Sequence, residues 1–299
     1  MTESASFGAA LAPVAVAATS ALLLGYSAPM PGVGSRYSDG AVAHETRLLG
    51  AAPIADALSG AGGRSVAEAV LEAVLGSRAV SGRADLRAAG YLAPLARAAL
   101  LEQPLRKVLA GLSHGDVRVF ARAAEAAGPE YGGGPLAGAL EVAAGAGRDA
   151  TLRDAMRFAA ASNPADPMAS EYARNFEVTL TLARPALETA LARVEATRPA
   201  LVQAYLETLS EVVDLDVERR AGRKEAEEVS RMAAGVLKAG GAGSRRGLQA
   251  IFNLDGILRQ NARLEPSATE TPVLAAAFLL GLEYGPPYLN ARVRPAPRR

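Results

Sequence analysis

Cysteine and tryptophan are absent from this sequence, and histidine occurs only as His44 and His114. Without cysteine there is no disulfide, no thiolate metal site and no cysteine nucleophile, a composition that suits a cytoplasmic protein. Two histidines are too few for a His-rich metal centre. Aromatic residues are only 5% of the chain. A core must therefore be built from small side chains, and the hydrophobic half of the composition is rich in alanine. Charge of one sign is also missing. The 32 Lys and Arg face 31 Asp and Glu, for a net charge of +1. That balance calls for neither nucleic acid nor an anionic membrane surface, so any anion must be held by a local cluster.

No charged residue occurs from Ser4 to Ser35. About 20 apolar residues span a bilayer, so this run has the length of a membrane helix. It is mostly alanine, however, and Pro13, Thr19 and Ser20 interrupt it. Glu3 stands where a signal peptide carries basic residues. The expectation is a buried helix over residues 7–24 of a protein with no membrane span.

The rest reads as helix after helix, with almost no period-two alternation. Ser65 and Glu68 have capping-box spacing, as do Ser267 and Glu270. Thr151 is an N-cap candidate, and Asp116 suits the first turn of a helix opening near His114. Pro94 and Pro104 mark bends or breaks in residues 84–112. Glu227 precedes Arg231 by four residues, a supportive pair on a helix over 217–239. "VTLTL" at 178–182 is the one strand candidate, but it lies inside a helical pattern from Tyr172 to Val194. Glycine-rich loops are expected at 128–138, 145–147 and 240–243. The pattern predicts an all-α fold, a single compact multi-helix domain over 1–290, with a basic tail at 291–299.

Signature motifs of chemistry are few. There is no nucleophile elbow, P-loop or dinucleotide fingerprint, and "PEYGGGP" at 129–135 lacks the Lys-Ser/Thr ending of a phosphate cradle. The segment "SAPMPGVGSRYSDG", 27–40, is more unusual: prolines, glycines, Arg36 and Asp39 crowd into fourteen residues.

That segment resembles the Pro-Lys-Pro-Gly-Asn-Val-His-Arg stretch of the triphosphoribosyl-dephospho-CoA synthase family. "LAPLARAA" (92–99), "DPMASEYARNF" (166–176), "DLDVERRAGRKEAEEVSRMAAGVL" (214–237) and "LEPSATETPVLAAAFLLGL" (264–282) resemble further family blocks, in order. The resemblance implies an all-α enzyme that transfers ribosyl triphosphate from ATP to 3′-dephospho-CoA and releases adenine. A related branch implies a link to tetrahydromethanopterin-dependent one-carbon metabolism. The implied partners are a nucleotide and a CoA-like small molecule, with Mg²⁺ accompanying ATP.

Carried over residue by residue, the resemblance implies catalytic roles for Asp39 and Asp116, nucleotide binding by Arg36, Arg219, Arg220 and Gly222, and metal binding by Asp214. The expectation is that Arg36, Asp39, Asp214, Arg219 and Arg220 converge on one pocket. "DLDVERRAGRKE" also reads as a solvated mixed-charge helix start, and Arg36 with Asp39 as a loop ion pair. Tyr172 and Phe176 read more readily as core than as adenine-stacking groups.

The chain also departs from the family pattern. The family's acid before the Pro-Lys-Pro-Gly stretch is Gly25 here, its Lys is Met30, its Asn is Val33 and its His is Ser35. The Asn-Leu-Gly triplet reads Asp85, Leu86, Arg87, and the final Ala-Asp reads Glu270, Thr271. Two readings follow: a transferase with an altered site, or an inactive homologue that binds or scaffolds in the same pathway.

Overall fold

The computed structural model describes residues 13–38, 42–128, 135–147, 150–163, 165–194 and 196–290. Among them every regular element is helical and no strand forms; one isolated bridge pairs Ser35 with Ser38. The all-α expectation is met. No helix among the described residues is long and apolar enough to cross a membrane.

Contacts group the residues into two compact units. The first comprises Met1–Thr19, so far as it is described, with Glu45–Phe176; the second comprises Ser20–His44 with Glu177–Arg299. Helix α1 (Val14–Tyr26) contributes its two halves to different units. Residues 7–12 of the expected N-terminal helix lie outside the described residues. Pro13 ends just before α1 and its carbonyl accepts from Val16 and Ala17, so proline opens the helix rather than interrupting it.

The first unit holds α2 (His44–Ser59, less its first residue), α3 (Val66–Ser81), α4 (Leu86–Leu100), α5 (Leu105–Ala110), α6 (His114–Ala127), α7 (Pro135–Gly145), α8 (Leu152–Ala160) and α9 (Pro167–Ala173). Local chemistry sets these ends. Ser65 and Glu68 close a capping box on α3, and Thr151 and Asp154 close another on α8. Asp116 takes the Ser113 N–H and hydroxyl at 2.7 and 2.9 Å and caps α6. Pro94 sits inside α4 without ending it, whereas Pro104 starts α5 after a break in which Glu102 adopts φ 50°.

An aromatic knot closes this unit. Tyr91 meets Phe176 edge-on at 5.6 Å and Tyr172 lies 5.4 Å from the same ring. Both hydroxyls are used: Tyr172 donates to the Gly90 carbonyl and Tyr91 to that of Pro167. These rings are core, as expected. The helix expected from Tyr172 to Val194 is broken beside them. Asn175 and Phe176 take positive φ of 54° and 61°, which a continuous helix cannot contain.

The second unit resumes with a π-helical turn, Val178–Ala183, over the strand candidate, and then α10 (Arg184–Arg193). It continues through α11 (Thr197–Glu211), α12 (Leu215–Ala221), α13 (Arg223–Lys238), α14 (Arg245–Arg259) and α15 (Ser267–Tyr284). Helix α15 is buried at every position from Ala268 to Leu282; from Pro272 onward it is apolar on all sides and other helices surround it.

Three local expectations change here. The helix over 217–239 is two helices, parted at Gly222 with φ 108°. Glu227 pairs with Arg223 at 2.8 Å, and Arg231 pairs with Glu228 instead. Ser267 and Glu270 form no capping box; the cap of α15 comes from elsewhere, as described below. Residues 135–138 of one expected loop are helical, while 129–134 and the tail 291–299 lie outside the described residues.

Candidate functional site

The 27–38 segment is rigidly built. Pro31 to Ser35 are buried, and Gly32 adopts φ 79° in space with no room for a Cβ, which would lie 2.9 Å from Pro266 and 3.0 Å from Leu258. Two residues one turn apart on α14 hold it. Asp255 accepts the Gly32 N–H at 2.8 Å and the Arg259 Nε at 2.8 Å. Arg259 Nη2 donates to the Val33 carbonyl at 2.8 Å and to the Ser38 hydroxyl at 2.6 Å. From α11, the Tyr205 hydroxyl donates to the Pro31 carbonyl at 3.0 Å. Burial pushes the Tyr205 phenol well above its ordinary pKa, and the charges of Asp214, Glu270, Glu265 and Asp255 push it further. It therefore stays a neutral donor.

Beside this loop, α12 is latched to the start of α15. Asp214 is 1% exposed. Its Oδ1 accepts the Asp216 and Val217 N–H groups at 3.0 Å each and caps α12. Its Oδ2 accepts the Thr269 N–H and hydroxyl, both at 2.8 Å, and so caps α15 as well. Burial first, then the charge of Asp216, raises Asp214 to about 6 despite these bonds. Asp216, equally buried, takes Arg219 at 2.9 Å and the Ser267 hydroxyl at 2.7 Å. Arg220 donates to the carbonyls of Glu265 and Arg263, and Arg263 returns a bond to the Arg220 carbonyl.

The predicted site residues divide accordingly. Arg36, Asp214, Arg219, Arg220 and Gly222 all fall in the second unit. Asp214 and Arg220 fasten helices. Gly222 is the left-handed hinge between α12 and α13. Arg219, 37% exposed, and Arg36, on the exposed part of the loop, are the cations accessible to solvent. Asp116 belongs to the first unit, where it lines a cavity of about 260 Å³. Asp39 lies outside the described residues. Asp255, Arg259 and Tyr205 escaped the sequence reading. The Asp255 and Arg259 spacing is an ordinary helix ion pair, and nothing in it says that the pair faces a loop more than 200 residues away.

No three metal-ligating side chains gather among the described residues. Both Asp214 oxygens already take two protein donors each, so Asp214 fits a helix latch better than a metal ligand.

The departures from the family pattern have a physical form. Met30 is 0% exposed, Val33 2% and Thr271 4%, so these positions are filled into the core. At Gly25 a Cβ would lie 1.8 Å from the Leu274 Cδ2, so Leu274 occupies the space an acidic side chain would need.

The α14 pair gives a direct expectation. Arg259→Ala removes the bonds to Val33 and Ser38 and the ion pair with Asp255, which keeps its bond from the Gly32 N–H. Amide exchange across residues 32–35 should speed up roughly tenfold, the equivalent of about 1.4 kcal/mol of lost local stability. Exchange in the first unit should not change. Unaltered protection at Gly32 would show that the loop is held by other contacts.

A family model described as ATP:dephospho-CoA triphosphoribosyl transferase matches residues 12–284. A crystal structure provisionally described as a triphosphoribosyl-dephospho-CoA synthase from Archaeoglobus fulgidus is similar in fold, with a TM-score of 0.57. The match has 20% sequence identity and covers 79% of this chain and 98% of that one. No curated protein matches significantly.

Proposed function

The chain belongs to the ATP:dephospho-CoA triphosphoribosyl transferase family, and from that premise we propose that it transfers ribosyl triphosphate from ATP to a hydroxyl of a CoA-type cofactor precursor. One observation carries the reading. The 27–38 loop, the start of α12 and the start of α15 are three separate family-like blocks. They meet in one unit through Asp214, Arg220 and the close approach of Gly32 to Pro266.

In this reading Arg36 and Arg219 contact the triphosphate as charge-assisted donors. Mg²⁺ accompanying the nucleotide would neutralise phosphate charge; Asp214, with both oxygens taken by protein donors, is assigned no part in holding it. The buried carboxylates Asp214, Asp216 and Glu270 supply negative potential for a ribose cation. Adenine departs with the electrons of the C1′–N9 bond and takes up a proton. The acceptor oxygen bonds to C1′ as its proton passes to a base, a role we assign to Asp39.

A second reading, a binder without turnover, is favoured by the burial of Met30, Val33 and Thr271 where the family resemblance implies Lys, Asn and Asp. Losing one preorganised polar group typically costs about 10²–10³ in rate.

The test follows free adenine chromatographically with ATP and Mg²⁺, using 3′-dephospho-CoA or a tetrahydromethanopterin-type precursor as acceptor, alongside calorimetric ATP binding. ATP binding is expected. Release with 3′-dephospho-CoA is expected well below the usual enzyme range of about 1–10³ s⁻¹. Faster release with another acceptor supports an altered transferase, and binding without release supports the second reading. Turnover within the usual range with 3′-dephospho-CoA would show that the lost polar groups are dispensable, and absence of ATP binding would overturn both.

A further inference from the structure

The first unit contains a half-open cavity of about 260 Å³ that the proposed transfer does not use. Its polar lining comes from Ser65 ahead of α3, the end of α4 (Arg97), the α4–α5 link (Gln103), α5 (Lys107) and α6 (Asp116), and its apolar lining includes Leu101 and Val108. Few polar groups converging on an apolar hollow is the usual composition of a small-molecule site.

Two of the polar side chains, Arg97 and Asp116, are fixed by protein bonds, whereas Lys107 is exposed. Arg97 Nη1 is anchored on the Ala61 carbonyl at 2.8 Å and reaches that of Gly62 at 3.4 Å. The guanidinium is thereby fixed at the cavity wall, with further N–H groups to offer. Glu102 holds a positive φ of 50°, unusual for this residue type, and the turn it makes sends the Gln103 N–H to the Ala98 carbonyl at 2.9 Å. Asp116 is buried, with Oδ2 taken by the Ser113 N–H and hydroxyl. Its Oδ1 accepts none of these bonds. The start of α3 is closed by its own capping box, so side chains must do the holding.

Two cations against one carboxylate leave the lining with one net positive charge. A bare anion would satisfy Arg97 and Lys107 and leave Asp116 facing it. A ligand that also carries a donor satisfies all three. We propose that this cavity binds a small organic anion bearing a hydroxyl group. Its carboxylate or phosphate lies on Arg97 and Lys107, its hydroxyl donates to Asp116, and its carbon skeleton rests on Leu101 and Val108. None of these residues belongs to the second unit, and Asp116, to which the family resemblance assigns a catalytic role, is here a cavity residue of the first unit.

Calorimetry on the full chain tests it with four probes: glycolate and glycerol 3-phosphate, which carry the donor, and acetate and inorganic phosphate, which do not. Saturable binding of a hydroxylated probe, tighter than its head-only counterpart, is expected. Whether glycolate or glycerol 3-phosphate binds identifies the head group. Lys107→Ala, a change at an exposed residue, should weaken binding roughly three- to tenfold, the scale of one partly exposed charge-assisted bond. Arg97→Lys, which keeps the charge but loses the fork, should weaken it further, with a melting curve checking the fold. Absence of saturable binding by every probe, or affinity unmoved in Lys107→Ala and Arg97→Lys alike, overturns the proposal. No preference for the hydroxylated probes overturns the assignment of Asp116.

Discussion

Asp214→Ala is expected to cost about 3–5 kcal/mol of stability, the range for breaking a buried, fully engaged charged network. The carboxylate takes four donors, two at the start of α12 and two at Thr269 of α15. Alanine leaves all four donors without this acceptor in a buried site. Relief of the repulsion from Asp216 offsets part of the loss. Asp214→Asn can keep the α12 cap through its carbonyl but turns an NH₂ donor toward Thr269, so it should fall between the two. Denaturant unfolding at constant slope is the measurement.

The pH dependence has a definite sign. Asp214 has a native value raised to about 6 from 3.8, so between these values the native state holds a proton that the unfolded state releases. Its contribution is full below the unfolded value and is lost as pH rises through the native one. The stability gap between wild type and Asp214→Ala should therefore widen as pH is lowered from 7 toward 4. A gap that narrows on acidification would mean that Asp214 is an ordinary ionised cap.

Gly25→Ala is the second large effect, and its size should depend on Leu274. The new Cβ would sit 1.8 Å from the Leu274 Cδ2, so the leucine must leave its present rotamer inside a closely packed helix pair. Overpacking of this kind typically costs about 1–3 kcal/mol. In a Leu274→Ala background the obstacle is gone and the same substitution should cost little. The two changes should thus couple by about 1–2 kcal/mol in a double-mutant cycle. Additive costs would show that Leu274 yields freely. Gly25→Glu, which restores the acid of the family pattern, should be worse than Gly25→Ala, because it buries an unpaired charge as well as volume. The departure at position 25 is therefore a linked exchange. The glycine and the leucine make one packing unit, and a single reversion should not rebuild the acidic site.

Helix content, the Ser65 and Thr151 caps and the break at Pro104 were legible in the chain, because periodicity, capping and proline act within a few residues. The same local rules misread Ser267 and Glu270. Their spacing is that of a capping box, but Asp214, 55 residues away, reaches Thr269 first. They also missed the break at Asn175 and Phe176, where burial of the Phe176 ring against Tyr91 and Tyr172 outweighs an unfavourable φ.

The sequence alone determined an all-helical chain with small-residue cores, and it pointed to the blocks 27–40, 214–237 and 264–282 together. Only tertiary structure decided what the charged residues in those blocks do. Arg220 and Asp214 look alike to any linear reading whether they grip a ligand or fasten helices. The difference is the direction of a side chain, set by partners 43 to 55 residues away. The same holds for Asp255 and Arg259, an unremarkable pair on α14 until the fold brings Gly32 and Val33 within 2.8 Å. Composition and periodicity act along the chain. A hydrogen bond between distant segments exists only once burial has brought its two ends together and excluded water.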